Sequence, residues 1–562
     1  MIVFQFNFAK HIFPVFQKVF FAKRISILSP FLLYFYEMPV QRYIPSNPKK
    51  SAYIVGSTFL FLYWLIGFDG ITFSDDVYYL LAGNKFWDGT MEFNEFHFST
   101  RWGAYVPSGL IGFLFGFDPH RISMISLFSY LGTLYLVLKI LPKDCNPWVL
   151  VTWMVTQVYL LHFLTKVYPD SLLVFWTILI PFSATFRSKK PFLAALGLIS
   201  GLFFGFLTKE TIVFLAPLPL VLFIFDWKRG NQNRRFYSFL LGLGLAFGVI
   251  YLGYFWIKFG SPFFHFRSIQ EGHYPWEHSY YDKSAWVMLN RLTILPIVTF
   301  IERSYWLWIV FAIPGLLKIW RKPASPGVEF GLAFLSMIVL LWFMSTNFGF
   351  YNPLYLNPRH LIILIPVLAF LIALGWEEWR ANQKLKRQLS GLILFGAAVS
   401  LIQQDWKMSV FQGTAFVLLY LFQGKKLVWA TGIYLLFPAL FAIQYQLKIK
   451  QYPTLIETLD RETSSSENPS LILTNNFLNF SKEVLLPENQ IAQKLLFPIE
   501  KLDSIRLTPP PKLRVFIYDY YRHAYPKEQV DLDALEFWLK ENYKLESELN
   551  EGNSSIRYFS KN

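Results

Sequence analysis

Asp75 and Asp76 stand side by side in the run FSDDVYYLLAG. A carboxylate in such a pair can take a proton from an attacking hydroxyl while its neighbour binds substrate or holds the loop. Asp75 and Asp76 are both candidates for the base. Three other ionisable groups interrupt apolar sequence at comparable places: Asp170 in VYPDSLL, Lys209-Glu210 in FLTKETIV and Arg359-His360 in NPRHLI. Lys209 and Arg359, with Arg101 as a third choice, could hold an anionic leaving group such as a phosphate, lysine as a point charge and arginine as a fork. Asp170, Glu210 and His360 could bind substrate or tie elements together. Each also has an ordinary reading: Ser74 or Asp75 can cap a helix, Asp170 suits a helix N-terminus, and Lys209 can snorkel to an interface. Convergence from four distant segments favours one shared site.

The run HFRSIQEGHYPWEHSYYDK adds His265, His273 and His278 beside acidic and aromatic residues. Their spacing matches no tight ligand motif, so no metal ligands are assigned and a divalent cation stays an open alternative. Stacking of Tyr274, Trp276 or Tyr280 on a sugar, or interfacial packing, suits these residues better. The single cysteine, Cys145, has no partner for an internal disulfide. Asn479-Phe480-Ser481 and Asn553-Ser554-Ser555 fit a glycosylation triplet, a pattern common by chance.

The elements that position these groups are set by hydrophobicity. Hydrophobic residues make up 54% of the 562 residues and charged residues 16%, which together point to lipid as the solvent. Apolar runs predict about thirteen spans, near 52–69, 120–140, 147–166, 170–186, 193–208, 211–226, 236–257, 298–318, 327–346, 360–378, 388–403, 408–423 and 427–446. Alternate connections are rich in basic residues: Arg42, Lys49 and Lys50; Arg187, Lys189 and Lys190; Lys228, Arg229, Arg234 and Arg235; Lys318, Arg321 and Lys322; Arg380, Lys384, Lys386 and Arg387; Lys425 and Lys426. The positive-inside rule makes these connections, and the N-terminus, cytoplasmic. The net charge of +15 is spread over them rather than over one face, which argues against a nucleic-acid partner.

This map predicts an all-α polytopic bundle with a small extracytoplasmic α/β domain. It divides the chain into a cytoplasmic segment 1–51, a membrane module 52–447 whose first outer loop is 70–119, and a domain 448–562. Strands are expected in SLILT from Ser470 and LRVFIYDY from Leu513, and a helix in DLDALEFWLKENY from Asp531. The apolar stretch 25–36 is too short to span and reads as no cleaved signal; Met38 is an alternative start, and an interfacial helix an alternative role. All four ionisable segments fall at the outer face.

FSDDVYYLLAGNKFWDG from Phe73 resembles the acidic signature of the first loop in GT-C membrane glycosyltransferases, within the group of protein O-mannosyltransferases and aminoarabinose transferases of lipid A. HFSTRWGAYVPSGLIGFLFG from His97, KVYPDSLLVFWTIL from Lys166, GLISGLFFGFLTKETIVFLAPLPL from Gly197 and NPRHLIILIPVLAFLIAL from Asn357 match in the same order. The chain departs in having Asp-Asp for the usual Asp-Glu and Arg359-His360 for the frequent Arg-Tyr. The resemblance implies a first loop of short helices lying along the membrane and closing a cavity that a lipid-linked donor and an acceptor enter separately, and by its place in the motif it makes Asp75 the first candidate for the base and Asp76 the second. Tyr78, Tyr79, Phe86 and Trp87 would then occupy the interface.

The expected activity is transfer of a sugar from a polyprenyl-phosphate donor to a lipid, glycan or protein acceptor at the outer, periplasmic face of a bacterial inner membrane. A transporter or flippase for lipid-linked sugars is the alternative, since it too gathers charges in a membrane cavity. A non-catalytic assembly protein would need far fewer spans.

Overall fold

The computed structural model describes residues 47–231, 233–273, 275, 279–321, 327–464 and 470–562; the stretch 25–36, Met38, Arg42, Tyr274, Trp276, His278 and Lys322 lie outside them. The chain divides into a short unit, Met1–Ser51, and a large one, Ala52–Asn562. Of the short unit, residues 47–51 are described, and they begin the helix Pro48–Ile66.

Every interval predicted to span holds helix. Among the described residues seven helices are long and apolar enough to cross a membrane, or up to nine if each of two bent pairs is one span. The protein is thus a polytopic membrane protein. One bend, of 66°, separates Pro147–Val155 from Val158–Leu164, and Gln157 caps the second piece by accepting from the Leu160 amide at 2.8 Å. The helix in the first predicted span is shorter than its hydropathy suggests, and it is not one of those seven. It stops at Ile66, and residues 67–74 run irregularly. Gly70 there has φ +93°, and a Cβ on it would strike the Tyr452 ring, so the turn demands glycine.

The helix Pro358–Ala381 is the axis of the bundle: 89% of its apolar window is buried, against 17% for Arg234–Phe259. It crosses Trp306–Arg321 backbone to backbone, since a Cβ on Gly375 would lie 2.7 Å from the carbonyl carbon of Pro314 and 2.9 Å from Cα of Gly315. Small residues permit such close crossings, where dispersion replaces the hydrophobic drive that lipid does not supply. Trp153, Trp308, Trp376 and Trp379 fill the neighbouring core.

Two charged networks mark opposite ends of the helix Pro169–Ala184. Just beyond its C-terminal end, Arg187 pairs with Asp226 at 2.8 Å and with Glu329, while Tyr237 and Asn233 also donate to Asp226. At its N-terminal end lies Asp170, described below. Between the first and second spans run the helices Asp75–Trp87 and Trp102–Phe115. They cross at Gly83 and Gly109, where a Cβ on Gly83 would come within 2.7 Å of the Tyr105 carbonyl oxygen. The segment 258–297 contains the helices Phe264–Gly272 and Ala285–Thr293.

The C-terminal sequence forms a five-stranded mixed sheet of order β2-β1-β3-β5-β4. Its strands are β1 Ile472–Thr474, β2 Leu496–Pro498, β3 Lys512–Tyr518, β4 Tyr543–Glu551 and β5 Ser554–Lys561. β1 and β3 occupy the predicted strand runs, and the helix Glu528–Asn542 the predicted helix. β2 is too short to signal itself, and β4 is an edge strand whose exposed polar residues hide its period. Alternation along β3 sends Leu513, Val515 and Ile517 into a core with Leu535 and Trp538. It turns Phe516 and Tyr518 to the other face, which packs on Ile71, Phe73 and Val77 of the first loop.

Candidate active site

The irregular stretch before the helix Asp75–Trp87 decides what its two leading carboxylates do. Ser74 is the N-cap, yet its hydroxyl bonds no helix amide. Asp76 instead folds back, accepting from the Thr72 amide at 2.6 Å, the Thr72 hydroxyl at 2.8 Å and the Ser74 amide at 3.1 Å, and it is buried. Its acceptor positions serve the turn. Asp75, one residue on, points elsewhere: its Oδ2 lies 2.7 Å from the Arg359 guanidinium, and both side chains are 22% exposed.

Arg359 sits at the start of the axial helix, where the Asn357 side chain caps its amide at 3.1 Å. Its guanidinium lies 3.9 Å from Asp170 and stands over the Tyr168 ring, 5.1 Å from the centroid. His360 has Nδ1 2.9 Å from the Tyr355 carbonyl, which makes that nitrogen the donor and leaves Nε2 to accept from Arg359 at 3.3 Å. His360 therefore braces Arg359. Tyr168 reaches across to the Thr72 hydroxyl at 2.6 Å, joining the Arg359 side to the Asp76 turn.

Asp170 opens the helix Pro169–Ala184 and is fully buried, its two oxygens 2.7 and 2.8 Å from the Lys209 ammonium. Lys209 occupies the turn between the helices Pro191–Thr208 and Glu210–Leu215, outside both. Burial pushes its pKa down from the usual lysine value to about 8, against the attraction of Asp170. The four side chains form an alternating row, Asp75, Arg359, Asp170, Lys209, drawn from four distant segments. The row is buried at the Lys209 end and open to solvent at the Asp75 end.

Arg101 and Glu210 make a second, adjoining cluster. Arg101 donates to both Glu210 oxygens at 2.9 and 2.8 Å and to the Tyr79 hydroxyl at 2.7 Å, and it lies over the Phe98 ring. With all three guanidinium nitrogens engaged, its fork is occupied by protein. Tyr79 is fully buried rather than interfacial, because its hydroxyl completes this cluster. Trp87 likewise donates to the Val106 carbonyl at 2.8 Å, and Phe86 packs on Tyr105. The loop helix is thus packed on its partner. His97 and His265 line the same region, their pKa values pushed down to about 3 and about 4 mainly by burial, so both are neutral imidazoles. His265 bonds the Tyr251 hydroxyl at 2.6 Å, and His273 bonds the Ile269 carbonyl. Among the described residues no three His, Cys, Asp or Glu side chains gather into a group able to hold a metal ion.

A third group went unforeseen. Asp69 is pinched between Lys166, which also donates to the Gly70 carbonyl, and Lys450, 2.6 Å from its Oδ2. Asp69 closes the predicted first span and Lys450 ends the last long helix, so each reads as a span terminus. Lys166 likewise stands at the last position of the predicted span 147–166, so all three read as ordinary span ends.

No family model matches the chain, and no curated protein matches it in sequence. Solved structures do match in shape. ArnT from Cupriavidus metallidurans in the apo state superposes with a TM-score of 0.54, and ArnT from the same organism bound to undecaprenyl phosphate with 0.55. Each is 12% identical, with 90% of this chain and 97% of the other covered. At that identity the shared feature is architecture, over nine tenths of this chain: this chain has the GT-C fold that ArnT exemplifies.

Proposed function

We propose that the protein is an integral-membrane glycosyltransferase that moves a sugar from a polyprenyl-phosphate donor to a hydroxyl-bearing acceptor at the outer face of the membrane. The observation that carries this reading is the row of alternating charges that ends in a solvent-reaching Asp75–Arg359 pair. It stands in a fold shared with a protein solved bound to undecaprenyl phosphate. Arg359 and Lys209 supply the positive charge that a departing phosphate needs. A phosphate on Arg359 competes with the Asp75 carboxylate for the same guanidinium, so donor binding loosens the ion pair and frees Asp75 as a base.

The acceptor oxygen then attacks the anomeric carbon while its proton passes to Asp75. The bond between that carbon and the phosphate oxygen breaks, and its electron pair leaves with the lipid phosphate. This single displacement inverts the anomeric configuration. Asp76, held by the turn, and Arg101, held by Glu210 and Tyr79, shape the site.

The test is product formation by purified protein in detergent, with a panel of undecaprenyl-phosphate sugars as donors and a membrane extract as acceptor. Wild type is expected to give a sugar-bearing product that Asp75→Asn does not. Folded wild-type protein that moves lipid-linked sugar across sealed vesicles, with no covalent product from any donor, would replace this reading by the flippase.

A further inference from the structure

Phe73, two residues before Asp75, has φ +56°. That is left-handed backbone, which a bulky side chain adopts only when its surroundings impose it. Those surroundings belong to the C-terminal part of the chain. The Phe73 ring is buried among Tyr521 at 5.0 Å, Phe477 at 5.5 Å, Tyr518 at 5.9 Å and Tyr452 at 6.4 Å between centroids. The Tyr525 hydroxyl donates to the Phe73 carbonyl, and the Tyr521 hydroxyl to the Ile71 carbonyl at 3.3 Å. From the other side Asp76 takes the amides of Thr72 and Ser74, the two neighbours of Phe73. Residues 71–76 are therefore fixed between the C-terminal domain and the start of their own helix, and Asp75 leaves this turn facing Arg359.

We propose that Phe73 is a positioning residue for sugar transfer, and that the C-terminal domain, through its aromatic socket and the Tyr525 hydroxyl, sets Asp75 against Arg359; this rests on Asp75 acting as the base. Docking alone does not call for this arrangement. The domain is already anchored at the end of the last long helix by the Tyr518 hydroxyl on the Lys450 carbonyl and by the Asn553 side chain on the Ile449 carbonyl, contacts that leave the backbone next to Asp75 untouched.

Tyr525→Phe in the full chain removes one hydroxyl and keeps the ring that stacks on Phe477 at 5.0 Å. Two readouts are taken from it: hydrogen exchange at the Thr72 and Ser74 amides, and kcat and donor KM with the undecaprenyl-phosphate sugar that wild type turns over. Exchange at both amides should quicken about tenfold or more. kcat should fall by about 10- to 100-fold, the cost of a misplaced reacting group, with KM within about twofold and the melting temperature unchanged. Tyr521→Phe, which loosens the same turn at Ile71, should shift both readouts in the same direction. Unchanged exchange, or quickened exchange with wild-type kcat, overturns the positioning role while Asp75→Asn still abolishes transfer. Absence of turnover by wild type on every donor ends the base assignment, and the catalytic half of this proposal with it.

Discussion

Asp75 and Asp76 are one helix position apart, a rotation of roughly 100°, and that rotation turns one toward Arg359 and the other back onto the amides of its own turn. Thermal unfolding in detergent should separate them. Asp76→Ala strands buried donors and should cost about 1–3 kcal/mol for each. Asp75→Asn alters a partly exposed pair and should stay within about 1 kcal/mol of wild type; equal losses would show that the division of labour is wrong. Lys209 gives a pH prediction. In the proposed role its ammonium would bind phosphate only when charged, and burial brings its pKa down to about 8, so charge is present below that pH and lost above it. Donor KM should rise roughly tenfold per pH unit beyond about pH 8, and Lys209→Arg, whose charge does not titrate there, should flatten the rise. A flat wild-type profile to pH 10 would remove Lys209 from the phosphate site. These groups were legible because ionisable residues between apolar runs are expensive and few. What each touches was not: nothing in DDVYY says that Asp76 bends back, and Arg101 reads as a free cation until Glu210 and Tyr79 are placed around it.

The helix Asp75–Trp87 begins at Asp75 and crosses Trp102–Phe115 at two glycines with no room between them. The atoms facing Gly83 are the backbone of Tyr105 and Gly109, which cannot rotate away as a side chain can. Gly83→Ala should therefore push the helices apart at a cost of about 1–3 kcal/mol and lower kcat through displacement of Asp75, whereas Gly242→Ala, in the helix Arg234–Phe259 with open space around it, should leave kcat unchanged. Comparison of the two variants by melting temperature and initial rate tests this; a normal kcat in Gly83→Ala would show that the crossing does not transmit to the site. Most helix positions were readable from hydropathy to within a few residues, since lipid enforces helices of a set length; the interval 298–318 instead holds the ends of two helices, Leu295–Glu302 and Trp306–Arg321, and the first joins Ala285–Thr293, in the expected outer loop, as a bent pair able to span. Breaks were harder. The early end at Ile66 and the 66° bend after Val155 depend on Gly67, Gly70 and the Gln157 cap, polar and small residues too few to lower a hydropathy average.

At the scale of the whole molecule the charged row, the first loop and the C-terminal sheet sit at one end of the bundle and the Arg187 network at the other. With Cys145→Ser as background, single cysteines report which end faces which compartment. Ser504→Cys, exposed in the C-terminal domain, should react with a membrane-impermeant maleimide in intact spheroplasts. Lys189→Cys, exposed beside Arg187, should react only after permeabilisation. The reverse pattern would place the site in the cytoplasm and exclude the periplasmic reading. Composition foretold a bundle with a polar tail, because hydropathy is additive along a chain. It did not foretell that the tail grips the first loop, since Phe73 and Tyr525 are 452 positions apart and complementarity over such distances leaves no local trace.

The unequal burial of the helices bears on how such a chain changes over time. Arg234–Phe259 shows most of its surface to lipid, whereas Pro358–Ala381 is enclosed by protein. Lipid asks of a side chain only that it be apolar, so the outer helix can exchange leucine for phenylalanine or valine with little penalty. The axial helix must keep its volumes and its glycine. Mutational tolerance should thus be graded by distance from the axis rather than by position in the sequence, and two chains can share an architecture of this kind while nearly nine residues in ten differ, as this chain and ArnT do at 12% identity.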